Sequence, residues 1–241
     1  MKKFLFGSTA LIVMFVGSAL AADMPRKAPI LKAPPAPVLY SWSGFYLGIN
    51  GGGAWGRSRH DAFTPASTTG NFNISGGLGG GTAGWNWQTG QFVFGVEADV
   101  DGTDIRGSTP CPGAGFTCST SNTWLATLRG RLGWAADRAL VYGTAGFADG
   151  DIRQRAASIA VVNTGTATRA GWAAGGGVEY AFSNNWSGKL EYLHVHLDSF
   201  NCGVVCTGVA GQTVAVKFDV NMIRAGLNFK FDWGGPVVAR Y

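Results

Sequence analysis

Residues 223–231 alternate strictly between apolar and polar or small side chains, and this period of two constrains the fold more than any other feature. The run reads IRAGLNFKF. Successive side chains of a β-strand point to opposite faces, so one face is apolar and the other holds Arg224 and Lys230. The pattern predicts a strand that separates an apolar environment from a polar one.

The same alternation recurs along the chain and predicts eight strands. It is clearest where apolar residues alternate with Glu97 and Asp99, and again with Arg129 and Arg131. The fifth segment is ambiguous. The seventh changes parity around residues 193–197, which predicts a bulge or a strand leaving a bilayer. The predicted strands begin near Trp42, Phe72, Phe92, Trp124, Ala139, Trp172, Trp186 and Thr213.

The first 21 residues have the layout of a secretory signal peptide. Lys2 and Lys3 precede an apolar stretch, and Ala19-Leu20-Ala21 follows as a small-residue cleavage site. We predict cleavage after Ala21. The alternative, a short uncleaved membrane helix, is disfavoured because the apolar stretch is short and ends at this site.

The rest of the chain divides into a Pro-rich periplasmic linker at 22–40, a barrel at 41–233 and a tail at 234–241. Beyond the signal, no segment has the ~18 consecutive apolar residues of a spanning helix, so a membrane form would be a barrel. The net charge is +5, but much of it lies in the signal and linker. The remainder is near neutral, which argues against a nucleic-acid partner.

Opposite charges share the non-apolar faces of the predicted strands. If the apolar faces contact lipid, these charges point into the barrel, which eight strands make just wide enough for side chains to fill. Opposite charges can satisfy one another there, as burial demands. The predicted interior charges are Glu97, Asp99, Arg129, Arg131, Glu179, Lys189, Glu191, Arg224 and Lys230.

Aromatic residues cluster at both ends of the predicted strands, as in the two girdles of an outer-membrane barrel. One group is Trp42, Trp85, Trp87, Phe92, Trp134, Phe182, Trp186, Phe231 and Trp233; the other is Trp55, Phe72, Trp124 and Trp172. A soluble β-sandwich or lipocalin-like barrel shares the local alternation but not this clustering. The predicted fold is all-β: an eight-stranded antiparallel transmembrane β-barrel with short periplasmic turns and four longer extracellular loops.

Four segments carry a family resemblance. Residues 35–52, 79–88, 189–193 and 223–231 read PAPVLYSWSGFYLGINGG, GGGTAGWNWQ, KLEYL and IRAGLNFKF. They resemble the small outer-membrane β-barrel proteins of alphaproteobacteria, a porin-like family of immunogenic outer-membrane proteins known from brucellae and rhizobia. The resemblance implies an OmpA/OmpX-like barrel in the outer membrane.

The resemblance also gives the last strand a second role. Gly226, Phe229 and Phe231 look like the signal by which the barrel assembly machinery recognises a terminal strand. In many barrels that strand ends the protein, whereas here residues 232–241 follow. We expect a periplasmic tail. The alternative is a small part in assembly recognition for Val237, Ala239 and Tyr241.

The four cysteines, Cys111, Cys118, Cys202 and Cys206, would meet an oxidising compartment after export. Their spacing favours pairing within 111–118 and within 202–206, although four cysteines allow three connectivities. A metal site is the rival interpretation, but C-x-x-C spacing is missing. We expect no metal and no cofactor.

Catalytic motifs are not evident, and we expect no enzyme. His194 and His196 share a strand face and could hold a metal or haem, but two ligands make a weak site. A lipid hydrolase could use these histidines with Asp198 and Ser199, which requires hydrogen-bond geometry that a strand run does not establish.

Two functional hypotheses remain. The first is a structural and surface-interaction barrel with a side-chain-filled interior, which contributes to envelope integrity. The second is a narrow porin, which the small strand number disfavours because aqueous channels belong to barrels of about 16–18 strands. The expected partners are outer-membrane lipid and lipopolysaccharide, the barrel assembly machinery, and extracellular ligands of the loops.

Overall fold

The computed structural model describes most of the chain downstream of the predicted linker. The described residues are 40–63, 66–112, 115–157, 162–202 and 214–231. The predicted signal peptide, the linker before Tyr40, Cys206, Trp233 and the tail lie outside them. No helix in this part of the chain is long and apolar enough to cross a membrane.

Eight antiparallel strands form a closed barrel in sequence order. They are β1 Gly44–Phe63, β2 Ala66–Thr89, β3 Phe92–Pro110, β4 Thr117–Ala136, β5 Ala139–Ala157, β6 Val162–Ala181, β7 Trp186–Cys202 and β8 Val214–Phe231. The barrel closes where β1 pairs with β8, from Phe45 opposite Phe231 to Ala62 opposite Val214. The predicted fold class is confirmed.

Three short turns, at 90–91, 137–138 and 182–185, lie at one end of the barrel. Gly90 and Asp137 adopt positive φ angles of 61° and 50°, which such tight turns require. We call the part of the barrel next to these turns the lower half and the rest the upper half.

The lower half is apolar outside. Its outward side chains are large and exposed, with 67% of Ile49, 59% of Leu128 and 51% of Val178 accessible. The inward neighbours on the same strands are polar and buried. An apolar band around a whole barrel needs lipid to cover it, as predicted from the alternation.

The strands continue well past the predicted boundaries. They contain 17 to 24 residues, whereas crossing a bilayer takes about 9–11. Residues 102–110 continue β3 and residues 117–121 begin β4, so the predicted connection between them is mostly strand. These residues were not predicted as strand because their sequence is polar. A strand surrounded by water does not need an apolar outer face.

The apparent parity change in β7 has another explanation. The same alternate residues point inward throughout the strand, but they change from charged to apolar. Lys189 and Glu191 point inward, and Leu193, Val195 and Leu197 continue on the same inward face with no exposed surface. The bulge expected at 193–197 is therefore wrong, since the pairing with β8 becomes irregular only after Leu197. The change from charged to apolar inward residues is the pattern expected from the other alternative, a strand that leaves the bilayer.

Apolar side chains fill the upper half. They form one buried cluster that draws on all eight strands: Ala54, Phe72, Ile74, Leu78, Ile105, Leu125, Ala148, Ile152, Ala173, Leu193, Val195, Leu197, Val216, Phe218, Val220 and Met222. We call it the upper core. Phe72 belongs to it and is 7% exposed, so its predicted place in an outer girdle is wrong.

Candidate functional site: an ion-pair layer across the barrel

The interior of the lower half holds a layer of buried charges. Within the described residues it comprises Glu97, Asp99, Asp101, Glu179 and Glu191 with Arg129, Arg131, Lys189 and Arg224, and each is at most 4% exposed. We call these nine side chains the ion-pair layer. All but Asp101 were predicted as interior charges, and the structure brings those eight together.

Strand register explains why acids and bases meet. Glu97 on β3 lies directly opposite Arg129 on β4. Glu179 on β6 lies opposite Lys189 on β7, and Glu191 on β7 lies opposite Arg224 on β8. Directly opposite residues share a face of the sheet, so each pairing places opposite charges side by side inside the barrel.

Two arginines carry the layer across the barrel. Arg129 Nη2 donates to Glu97 Oε1 at 2.7 Å and to Asp99 Oδ2 at 2.5 Å, and its Nη1 reaches Glu191 Oε2 at 3.2 Å. Arg224 Nη1 donates to Asp101 Oδ2 at 2.9 Å, and its Nη2 lies 2.7 Å from Glu191 Oε1. Since β8 and β3 are not neighbours, Arg224 spans the lumen.

Arg131 is held by a carboxylate and two tyrosine rings. It pairs with Glu179, and its guanidinium lies 3.9 Å from the centre of the Tyr142 ring. Its Nη1 donates to the Tyr46 hydroxyl at 3.0 Å, which in turn donates to Glu97 at 2.7 Å. The tyrosines fill space between charges and supply further hydrogen bonds.

Gly84 makes room for Tyr46. A Cβ atom at position 84 would lie 2.3 Å from the Tyr46 hydroxyl oxygen, closer than any real contact. The glycine-rich second strand thus leaves interior volume for large side chains on other strands. In a closed cylinder of eight strands, that volume is what permits an arginine layer.

The lower opening is covered by residues 40–43, which we call the strap. Trp42 Nε1 donates to the Asp137 carbonyl oxygen at 3.0 Å, and Tyr40 N donates to Asp137 Oδ1 at 3.0 Å. Asp137 lies in the turn between β4 and β5, across the opening from β1. The chain then turns into β1 at Gly44, whose φ of 132° suits glycine.

The strap packs over an apolar floor. Tyr40 and Trp42 join Val93, Ala135, Leu140, Tyr142 and Ala181 in a second buried cluster. Trp42 is only 3% exposed, so its predicted place in an outer girdle is wrong. The interior is therefore layered: strap and apolar floor, ion-pair layer, upper core.

Lys230, the ninth predicted interior charge, lies outside the ion-pair layer. It is half-buried at the lower rim, where its Nζ donates to the Ser41 carbonyl oxygen and lies 4.4 Å from the centre of the Tyr40 ring. Its role in the structure is to hold the strap.

Sequence reasoning left Asp101, Tyr46 and Tyr142 out of the predicted site. Asp101 and Tyr46 follow the inward parity of their strands, so parity alone could have added them. Tyr142 lies on the fifth strand, whose alternation gave no clear face. All three hydrogen-bond to charges within the layer or pair with them.

The proposed assembly residues lie at the lower end of β8. Phe229 and Phe231 are outward, with ring centroids 5.0 Å apart, and Phe229 also meets Trp186 at 5.0 Å. Gly226 is inward, and a Cβ atom there would lie 3.0 Å from the Lys189 side chain. The Phe side chains thus contribute to the lower aromatic girdle.

Cys111 and Cys118 form a disulfide between β3 and β4. The other predicted pair involves Cys206, which lies outside the described residues.

The histidines of β7 face outward in the upper half. His194 Nδ1 lies 2.9 Å from Asn221 Oδ1, and His196 Nδ1 hydrogen-bonds to Asp219. Both rings lie against Trp172, at 5.2 and 5.9 Å between centroids. Both histidines are therefore hydrogen-bonded to β8 through Nδ1.

Comparison with known proteins gives consistent matches. A model of the outer membrane protein β-barrel domain matches residues 9–231. The 31 kDa outer-membrane immunogenic protein of Brucella melitensis is 36% identical over 96% of this chain and 100% of its own length. The 22 kDa outer membrane protein of Rhizobium leguminosarum is 30% identical over 83% of this chain and 82% of its own. Among solved structures, outer membrane protein OprG from Pseudomonas aeruginosa matches with a TM-score of 0.47 and 14% identity, covering 78% of this chain and 96% of that one.

Proposed function

This chain belongs to the outer membrane protein β-barrel family, and on that premise we propose that it is a closed structural barrel rather than a solute pore. It resides in the outer membrane, with its short turns on the periplasmic side. Its upper half then extends beyond the outer leaflet and presents a rigid surface outside the cell. In this role the protein strengthens the envelope and displays a folded surface.

The observation that carries the proposal is that Arg224 on β8 pairs with Asp101 on β3, a strand that β8 does not adjoin, as well as with Glu191 on the neighbouring β7. Its guanidinium bonds Asp101 and Glu191 at once, so charged side chains fill the lumen rather than line it. An ion passing this level would have to displace a buried, hydrogen-bonded arginine. Breaking such a pair costs about 3–5 kcal/mol.

Two further layers support closure. The upper core contains fully buried Phe218 and Met222 on the axis side of β8, and the strap covers the periplasmic opening. A solute would have to pass all three layers in series. Charged side chains of the ion-pair layer could rearrange to admit an ion. The upper core is apolar and closely packed, so water and solutes would still be excluded there.

Planar-bilayer recording tests closure. We expect purified, folded monomer to give no stable open level, with heat-modifiable gel mobility as the check that the barrel is folded. The variant Arg129→Ser/Arg224→Ser should also stay closed, because the upper core remains. A reproducible open conductance from the folded native monomer would instead establish the narrow-porin alternative.

We also propose that the protein is not an enzyme. His194 and His196 use Nδ1 to hydrogen-bond Asn221 and Asp219 on β8, and their rings lie tilted against Trp172, so both have structural partners other than a serine. Lipase and deacylase assays on folded protein should show no hydrolysis that Ser199→Ala removes. Serine-dependent turnover would overturn this part of the proposal.

Gly226, Phe229 and Phe231 are proposed to be read by the barrel assembly machinery. The phenylalanines project outward at the periplasmic end of the last strand, where another protein can contact them before the barrel closes. Phe231→Ala should reduce delivery to the outer membrane in cells while leaving refolding of purified chain in detergent unchanged. Equal loss in both settings would mean that Phe231 acts in folding alone.

A further inference from the structure

A groove on the outer surface of β8, β1 and β2 lies in the upper half, immediately above the lipid-facing band. Its volume is about 790 Å³. Strand register arranges its outward side chains in three rows. From bottom to top the rows are Asn221, Trp55 and Ser75; Asp219, Arg57 and Asn73; Lys217, Arg59 and Asn71.

The groove starts at the upper edge of the outward apolar face of β1. Trp55 is 46% exposed and continues the outward apolar face of β1. Tryptophan at such a position marks the membrane–water interface. Consecutive outward residues of a strand are about 7 Å apart, so Arg57 lies one such step above Trp55 and Arg59 lies two steps above it.

The charge of the groove favours an anion. Three cations, Arg57, Arg59 and Lys217, line it with a single acid, Asp219, whose carboxylate is hydrogen-bonded to His196. Arg59 Nε is also bonded to Asp61 Oδ1 at 2.6 Å. In the described part of the chain, no carboxylate lies within ion-pair distance of Arg57 or Lys217, although Asp219 is directly opposite Arg57 in the register and Asp61 attracts Lys217 from farther away.

The neutral residues of the groove suit a phosphate. Asn71, Asn73 and Ser75 follow one another on the outward face of β2 and offer amide and hydroxyl donors beside Arg57. Guanidinium groups with neutral donors around them bind phosphate oxygens in a fork geometry, and lysine adds a point charge.

We propose that this groove binds the phosphate groups of a phosphorylated glycolipid anchored in the surrounding outer leaflet. Arg57 and Lys217 contact phosphate, and Trp55 lies beside the boundary between the sugar and its acyl chains. The inference rests on the proposed function, because it needs the upper half to stand outside the outer leaflet. It adds a lipid contact that fixes the depth of the barrel in the membrane.

The opposite side of the upper half provides the comparison. A groove of similar volume, about 710 Å³, is lined there by Arg106, Arg153 and Arg155. Arg106 pairs with Asp104, and Arg153 Nε lies 2.7 Å from Asp151 Oδ2. Two of its three arginines are thus already neutralised, which makes this groove a control of equal formal charge.

Binding to the folded full chain in nanodiscs or detergent micelles tests the site. The probes are diphosphoryl lipid A, a phosphate-free lipid A analogue and inorganic phosphate. The test variant is Arg57→Gln/Lys217→Gln, and the control is Arg106→Gln/Arg155→Gln, which removes the same charge on the opposite face. Heat-modifiable mobility verifies that each variant is folded.

We expect the test variant to bind diphosphoryl lipid A about tenfold or more weakly, since each lost charged hydrogen bond weakens a complex substantially. The control variant should bind as the native chain does. Equal weakening in both variants would mean diffuse charge attraction, and no weakening would remove the site.

The other probes decide what is recognised. Equally tight binding of the phosphate-free analogue would overturn phosphate recognition. Inorganic phosphate that binds as tightly as the lipid would overturn a lipid ligand. Any of these results leaves the closed-barrel proposal intact, because that proposal is tested by conductance.

Discussion

The two halves of the barrel are built from the same strands and are inverted with respect to each other. The lower half carries apolar side chains outside and the ion-pair layer inside. The upper half carries polar and charged side chains outside and an apolar core inside. On β8 the change occurs between Ile223 and Asn221 on the outer face, and between Arg224 and Met222 on the inner face.

The difference shows that the surrounding solvent, rather than the backbone, decides which face is apolar. Hydrogen bonding between strands continues through the inversion without loss of register from Arg224 to Phe218. In lipid the outer face must be apolar, so polar groups can only pair inside. In water, the hydrophobic effect packs the inside as in any soluble barrel.

The largest expected effect comes from the ion-pair layer. Arg129→Met removes the shared partner of Glu97, Asp99 and Glu191. We expect the free energy of unfolding to fall by about 3–5 kcal/mol, because buried carboxylates are left without a cation. Urea titration of the barrel in lipid or detergent measures it.

The matched change in the upper half is Arg153→Met, whose guanidinium is half-exposed beside Asp151. Its cost should be about 1 kcal/mol, because the guanidinium is half-exposed and the buried Asp151 carboxylate keeps hydrogen bonds from Thr123 and the backbone of Trp124. Equal costs for the two arginines would mean that the lower interior is hydrated.

A second comparison uses the outer faces. Leu128→Arg puts a charge on the lipid face of β4 and should cost about 2–4 kcal/mol. Thr168→Arg adds the same side chain to the exposed outer face of β6 in the upper half, where surface changes usually stay within about 0.5 kcal/mol. Folding yield into vesicles compares them, and a normal yield for Leu128→Arg would contradict the outward placement of Leu128.

Thr127→Arg introduces the same charge as Leu128→Arg but on the inward face of β4, so it tests whether the direction of the side chain decides the effect. Thr127 points inward, where its hydroxyl donates to Asp99 at 3.0 Å. An arginine there should fail by crowding rather than by contact with lipid. Its yield should therefore not depend on bilayer thickness, whereas that of Leu128→Arg should.

The smallest expected effect is a pH dependence confined to the upper half. His60 is buried against Phe72, with Nε2 2.8 Å from Thr120 Oγ1. Burial lowers the pKa of His60 from 6.5 to about 4. The folded state therefore binds fewer protons than the unfolded chain between these values, and stability falls as pH drops through that window.

At pH 5.5 the loss from His60 should be about 1 kcal/mol relative to pH 8. His60→Asn should reduce this part of the pH dependence, as measured by urea titration at both pH values. An unchanged pH dependence in the variant would show that His60 does not carry it.

The alternation of apolar and polar residues predicted the number of strands, their order and the outward faces of Phe94, Leu128 and Val178. It did so because every strand that crosses lipid must have an apolar outer face. It also predicted that Glu97 and Arg129 share a face. The upper extensions could not be predicted, since the rule changes where lipid ends and a polar outer face resembles a loop.

Contacts between parts of the chain that are distant in sequence could not be predicted either. Trp42 precedes an alternating strand and so had the pattern of a girdle residue. Its burial depends on Asp137, 95 residues away. Phe72 also stands near the end of a predicted strand, as a girdle residue does. In the closed barrel it points inward.

The strap determines where mechanical load enters the barrel. A pull on the chain ahead of Tyr40 first reaches the turn between β4 and β5, through the hydrogen bonds of Tyr40 and Trp42 to Asp137. The strap is also bonded to β8 through Lys230 and Ser41 and to β2 through Trp42 and Gln88. The load is therefore divided among three places on the lower rim before it reaches the end of β1, and the strap reduces the tension on the seam between β1 and β8.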